Sequence, residues 1–188
     1  KNHHGERSMV VLRPADGEET LMAWKTAVEE HRPVALILSR QNIKNLPTLG
    51  RARREEAEQV SKGGYVVMDA AKPAAVLVAS GSEVATLVEG AELLAQEGIA
   101  VRVVNVPSEG LFRDQPKSYQ ESVLPAGIVR YGLTSGLPVN LLGLVGENGM
   151  IHGLDHFGFS APYKVLDEKF GYNGVTVAAE VKKMLRKK

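Results

Sequence analysis

Short apolar runs take turns with amphipathic stretches along this chain, an alternation that predicts strands and helices in succession and hence an α/β fold. The run MVVL at 9–12 is closed by RPAD. Asp16 then stands three residues before Glu19, the spacing of an N-cap with its capping-box partner. Leu21, Trp24, Ala27 and Val28 follow at helical spacing. Pro33 stops that helix, and VALIL at 34–38 is the next strand. This is one β-α-β unit, since parallel strands need such a crossover. Residues 44–64 are polar, interleave both charge signs and carry Pro47, Gly50, Gly63 and Gly64. They read as a linker with a short helix around Glu55.

A second block opens with YVVMD at 65–69. Ala75 to Ala79 is apolar at every position, the mark of a parallel strand buried on both faces. Ser80 and Glu83 repeat the capping-box spacing ahead of a helix with Val84, Leu87, Val88, Ala91, Leu94 and Ala95 on its apolar face and Gly98 as its stop. IAVRVVNV at 99–106, GIVRY at 127–131 and LLGLV at 141–145 read as further strands. SAPYKVLDEKFG at 160–171 reads as a helix capped by Ser160, with Pro162 in its first turn and Gly171 as its stop. Val177, Val181, Met184 and Leu185 outline the last helix. The second block is long enough for a whole domain. The first holds two strands and one helix, too few to stand alone, and reads as the tail of a larger domain.

Composition works by exclusion. Lys and Arg number 23 against 22 acidic residues, so no whole-chain field recruits nucleic acid or membrane. The basic residues Lys182, Lys183, Arg186, Lys187 and Lys188 suit the C-terminal end of a helix. The absence of cysteine excludes disulfides, thiol nucleophiles and Cys-ligated zinc, and fits a reducing, cytoplasmic setting. No apolar run reaches the roughly 18 residues of a membrane span. The opening KNHHGERS has neither a leading Met nor an apolar signal core, as expected for a piece of a longer protein.

ALILSRQN at 35–42 ends a buried strand on a permanently charged guanidinium. Ligands of open α/β sheets bind outside the carboxyl ends of strands. Arg40 there can hold a phosphate or carboxylate through two parallel hydrogen bonds. The same position also suits an arginine that bridges to a carboxylate or to helix-end carbonyls. SGSEV at 80–84 joins a strand to a helix start, where backbone N–H groups can meet phosphate. One glycine makes no dinucleotide fingerprint and no P-loop lysine follows, so it reads as a tight capped turn. HGLDH at 152–156 spaces two histidines four apart around Asp155. Gly149, Gly153 and Gly158 argue against the helix such a metal pair needs, so it reads as a loop with structural histidines. His3 and His4 fall at an end expected to fray.

The stretches VLRPADGEET, ALILSRQN, SKGGYVVMDA, VLVASGSEV, VRVVNVPS and YQESVLP, in this order, resemble the C-terminal part of transketolases, and FGFSAPYKVLDEKFGYNGVTVAAEVKKML resembles its end. The match is closer than to the pyruvate dehydrogenase β subunit or deoxyxylulose phosphate synthase, which share the architecture. The resemblance implies a partial pyrimidine-type α/β unit at 1–48, a linker at 49–62 and a three-layer α/β/α C-terminal domain at 63–188. It implies that Arg40 matches the SRQN arginine that helps bind the phosphate of the sugar substrate. It implies thiamine diphosphate and magnesium as cofactors of the whole enzyme. The segments that hold them, the activating glutamate and the histidine and aspartate that handle sugar hydroxyls all lie upstream of RPAD, so this chain is expected to be inactive alone. The whole enzyme is expected to be a cytoplasmic homodimer of the pentose phosphate pathway, moving a two-carbon ketol unit from ketose phosphate to aldose phosphate. One stretch, IVRYGLTSGLPVNLLGLVGENG, departs from the family, and Gly132 falls near an expected glutamate. Two other arrangements fit the same residues: a non-catalytic binding or assembly module that kept the fold, and a separate C-terminal subunit of a split transketolase.

Overall fold

The computed structural model describes Gly5 and residues 7–186. β1 (Val10–Leu12), α1 (Gly17–Glu29) and β2 (Val34–Leu36) form the β-α-β unit, with the two strands parallel. Asp16 caps α1 as expected, its carboxylate accepting the Glu19 N–H at 2.9 Å. Two expectations fail. β2 ends at Leu36, leaving Ile37 and Leu38 exposed beyond it. The stripe of Leu21, Trp24 and Val28 faces outward, with Val28 81% exposed, while α1 buries Glu19, Met22 and Ala23. Helical spacing reveals an apolar face but not which neighbour covers it. With Met9 and Val11 also exposed, this unit presents an apolar layer with nothing packed on it among the described residues.

α2 (Arg53–Ala57) and a 3-10 turn (Glu58–Lys62) pack on α1 and lead into the second sheet. Its strands are β3 (Tyr65–Met68), β4 (Ala75–Ala79), β5 (Val101–Asn105), β6 (Arg130–Leu133) and β7 (Met150–His152). Their spatial order is β3-β5-β4-β6-β7, with β3 antiparallel and the rest parallel. The helices are α3 (Glu83–Gln96), α4 (Glu109–Asp114), α5 (Lys117–Val123), α6 (Val139–Val145), α7 (Tyr163–Phe170) and α8 (Gly174–Arg186). Central β4 is buried at every position. Leu77 and Ala79 pack with Leu87, Leu94, Val177 and Val181 of α3 and α8. Val76 and Val78 pack with Phe112, Val123, Leu141 and Leu144 of α4, α5 and α6. The sheet is thus the middle of three layers. The first unit shares the former core through Val10, Leu12, Met22 and Ala23.

Three further readings change. LLGLV is helix α6, not a strand; Leu141, Leu144 and Val145 are buried at helical spacing, a pattern that so short an apolar run hides. The edge strand is β7 instead. Ser80 does not cap α3, which begins at Glu83 with Ser82, two residues further on, at the N-cap and no side-chain cap, and Ala95 is exposed. Ser160 does not cap α7; Pro162 occupies the cap position, and Gly171 ends the helix as expected. In the divergent stretch, a Cβ on Gly132 would lie 2.7 Å from Val145 Cγ2, so α6 rests directly on β6 and a glutamate has no room there.

α3 and α8 also approach closely. A Cβ on Gly90 would lie 2.5 Å from Val177 Cγ1 and 2.8 Å from its Cβ. Alanine normally favours a helix interior over glycine by about 1 kcal/mol. Gly90→Ala is nevertheless expected to destabilise by roughly 1–3 kcal/mol, the cost of an overpacked core. Urea unfolding checks this; a variant as stable as its parent refutes the tight contact.

Candidate functional site

The carboxyl ends of the two sheets meet. Gly81 N–H donates to Arg13 O at 3.1 Å and Arg13 N–H to Pro107 O at 2.8 Å, tying the end of β1 to the ends of β4 and β5. β4 and β6 are neighbours whose onward connections run to opposite sides of the sheet, the switch point at which α/β sheets open a crevice. A recess of about 210 Å³ lies here, lined by Arg13, Ser39, Arg40, Gln41, Ser82 and Ser135 among others. Arg40 is exposed on its wall and has no hydrogen-bond or ion-pair partner among the described residues. The bridging role therefore has nothing to bridge to. Arg13 is held: Nη1 donates to Ser80 Oγ at 3.1 Å, and Nη2 stands 3.3 Å from Glu83 Oε2. Glu83 Oε1 accepts the Ser135 N–H at 3.0 Å. The SGSEV turn thus carries an arginine clasp in place of the expected capping box.

A buried polar cluster joins the two units. Glu19 is fully buried and accepts from Arg53 Nη2 at 2.7 Å, from Asn105 Nδ2 at 2.7 and 2.8 Å, from Ala15 N–H at 2.8 Å and from the Tyr65 hydroxyl. Asp16 receives Arg53 Nε and the Leu46 N–H on its second oxygen. Burial pushes Glu19 above the ordinary carboxylate range, opposed by the Tyr65 hydroxyl, the Ala15 N–H and the Arg53 charge. Burial likewise pushes the Tyr65 phenol up, and the Glu19 charge adds to the shift.

The HGLDH histidines go to separate partners. His156 Nδ1 is 2.8 Å from Phe157 O, its ring beside Phe159 and Phe170. His152 on β7 places Nδ1 3.0 Å from Glu180 Oε2 and Nε2 2.8 Å from Phe170 O. Both neighbours accept, so an imidazolium with a proton on each nitrogen satisfies both. Tyr131 donates to the same Glu180 oxygen at 2.7 Å, and the Tyr172 ring stands edge-on at 5.2 Å. The hydrogen bond that His152 donates to Glu180 raises His152 above its ordinary value against burial, and in turn lowers Glu180, helped by the Tyr131 hydroxyl and Lys183. A raised histidine stabilises fully below its unfolded value, about 6.5, and that contribution is lost as pH rises through the folded value. The lowered glutamate loses its contribution only as pH falls through its folded value. The unfolding midpoint is therefore expected to drop as pH rises from about 6.5 through the folded value of His152, and His152→Gln to flatten that slope. Equal slopes in both proteins would sink the assignment.

His3, His4, Lys187 and Lys188 lie outside the described residues. Lys182 pairs with Glu97 at 2.7 Å. Sequence reasoning missed Arg13, Ser82 and Ser135, although RPAD carried the same signal as SRQN, a guanidinium just past a strand end. Among the described residues no group of three His, Asp or Glu side chains converges to hold a metal ion. A divalent cation, and a cofactor diphosphate bound through it, find no such ligand set among the described residues.

The family model of the transketolase-like TK C-terminal domain matches residues 63–173. A plasmid transketolase of Cupriavidus necator is 42% identical over 176 residues, covering 93% of this chain and 26% of that protein. Transketolase 1 of Escherichia coli is 40% identical over 185 residues, covering 95% and 27%. A crystal structure of Pichia stipitis transketolase, in complex with sedoheptulose-7-phosphate, superposes with a TM-score of 0.87 at 32% identity, over 97% of this chain and 26% of that one. A split-gene transketolase, an inactive β4 tetramer, shares the fold at a TM-score of 0.76 and 22% identity, over 97% and 59%. The chain spans about a quarter of the length of the curated relatives it matches.

Proposed function

Because this chain belongs to the transketolase family, we propose that it is the C-terminal part of an enzyme that moves a two-carbon ketol unit from a ketose phosphate to an aldose phosphate, a step of the pentose phosphate pathway. Residues 1–48 then close a pyrimidine-binding domain, 49–62 link, and 63–188 form the C-terminal domain. The uncovered apolar layer of Met9, Val11, Leu21 and Trp24 supports that division, since a parallel sheet needs cover on both faces. Thiamine diphosphate and magnesium bind segments outside these residues, and the cofactor supplies the electron sink for carbon–carbon cleavage. The whole enzyme works as a cytoplasmic homodimer. What this chain contributes is Arg40, which holds the substrate phosphate. One observation carries that role: a permanent cation at a strand end, lining a recess, with no partner among the described residues.

The test is ketol transfer between phosphorylated sugars by the full-length protein with thiamine diphosphate and magnesium. Transfer is the expected result. A folded, cofactor-supplied protein that transfers nothing is instead a non-catalytic module of the same fold. The split-gene neighbour shares the fold, so a second arrangement places this half on its own subunit; a cofactor-binding partner chain then co-purifies with it.

A further inference from the structure

We propose that α7 is a flap over the cleft between the two units, and that the His152 imidazolium is the latch that holds it shut. The flap stands apart from Arg40 and operates whether or not the whole protein transfers ketol units.

α7 is fixed at one end. Each of its residues is exposed or half-buried, with Tyr163 46% and Val165 53% exposed. A short helix without a buried face draws little stability from packing and belongs to the segments that open first. Yet α7 walls a cleft of about 600 Å³, which Tyr163, Lys164, Asp167 and Glu168 line together with Asn42 and Ile43 of the first unit. Its fixed point lies just beyond its C-terminal end. Tyr172 packs against the core, and its hydroxyl donates to Thr134 O at 2.8 Å. Between Phe170 and Tyr172 stands Gly171, in a left-handed turn at φ +74°. A Cβ on Gly171 would lie 3.2 Å from His152 Cε1, so the imidazole stands against that turn. His152 Nε2 meets Phe170 O at 2.8 Å. An imidazole from β7 thus holds the last residue of α7, one position before the glycine on which the helix can swing.

The proton decides whether that bond exists. His152 faces two acceptors, Phe170 O and Glu180 Oε2. A neutral ring keeps one N–H and must turn a lone pair toward the other acceptor. A hydrogen bond to a carboxylate is roughly twice as strong as one between neutral groups, so the remaining proton stays on Nδ1, toward Glu180. Phe170 O then meets a lone pair, and the latch opens. The groups around the ring do not share this titration. Burial pushes Tyr131 on β6 up, and burial with the Glu83 charge pushes Tyr172 up to about 12. On α8, His152 and the Tyr131 hydroxyl hold Glu180 below its ordinary range, and Lys183 acts on Glu180 through its charge. Asp167 on α7 is raised by burial and by Glu83, a separate titration that a His152 variant leaves in place.

Hydrogen exchange of the amides from Leu166 to Tyr172 in the full-length protein tests this, with rates corrected for intrinsic exchange at each pH. Protection is expected to fall about five- to tenfold, the worth of one hydrogen bond, as pH rises from about 6.5 through the folded value of His152. His152→Gln is expected to hold these amides at the low protection at every pH, because one amide group cannot serve both acceptors. Glu180→Gln is expected to move the loss of protection to lower pH, because the imidazolium loses its carboxylate. Constant protection in the parent overturns the proposal. A His152→Gln protein as protected as the acid form of the parent overturns it too, since the bond then holds nothing. Protection that still falls with pH in His152→Gln assigns the effect to Asp167, and an unmoved midpoint in Glu180→Gln breaks the link to the imidazolium; either result overturns the latch.

Discussion

Arg40→Ala in the full-length protein is expected to lose most of its preference for phosphorylated sugars. Hydrogen bonds to a charged group contribute about 1.5–3 kcal/mol, a factor of roughly 10 to 150 in affinity. The effect should appear as a raised KM for phosphorylated donor and acceptor, with a much smaller change for unphosphorylated analogues. Arg40→Lys should recover only part, because an ammonium is a point charge and cannot form the two parallel bonds of a guanidinium. Added salt should narrow the gap between parent and variant, since Arg40 is exposed and its field is screened. Stability should stay within about 0.5 kcal/mol, because the side chain has no partner among the described residues to lose. A structural arginine would behave the other way, with a lower unfolding midpoint and no phosphate dependence. Steady-state kinetics on the two classes of acceptor decides between them.

Local chemistry was legible in the sequence wherever one element decides the outcome. Ala75–Ala79 is apolar throughout and lies mid-sheet; Asp16 caps α1; Gly171 stops α7. The resemblance on the SRQN stretch pointed to Arg40 before any geometry did. Readings failed where a second body decides. The apolar stripe of α1 is real, but the C-terminal domain takes the opposite side of that helix, where Met22 and Ala23 are buried. Ser80 has capping spacing, yet Arg13, distant in sequence, claims its hydroxyl. LLGLV is too short for its period to show. Ser82 and Ser135 come from turns after different strands, and only the order β5-β4-β6 brings them to one recess. No local pattern announces such a meeting, because sheet order is a long-range property.

The same long-range closure makes Arg53 the residue whose loss should cost the fold most. It comes from the stretch read as a linker, yet its guanidinium meets two carboxylates of the first unit, Asp16 and Glu19, and the Tyr65 hydroxyl of the second. Both carboxylates are 0% exposed. In Arg53→Met the methylenes can be roughly replaced, but two buried carboxylates lose their only cation among the described residues. Breaking a buried pair from one side costs about 3–5 kcal/mol, because the remaining charge has neither water nor partner. Arg53→Lys should rescue little, since one ammonium cannot reach Asp16, Glu19 and Tyr65 at once. Glu19→Gln should fare better: it removes one charge and keeps an oxygen for Arg53, at the price of turning an amide N–H toward Ala15 N–H. The pH dependence separates a charge effect from lost packing. Arg53 opposes the burial that raises Glu19, so its removal raises Glu19 further. A carboxylate raised in the folded state loses stability as pH climbs from its unfolded value through its folded one. The deficit of Arg53→Met should therefore be largest at neutral pH and shrink toward acid as Glu19 takes up a proton. Hydrogen exchange at the α1–β3 junction, compared at neutral and mildly acidic pH, reads this directly. A pH-independent deficit would mean that the arginine serves by its bulk, and no deficit at all would mean that the two units are held together by the shared apolar core of Val10, Leu12, Met22 and Val60 alone.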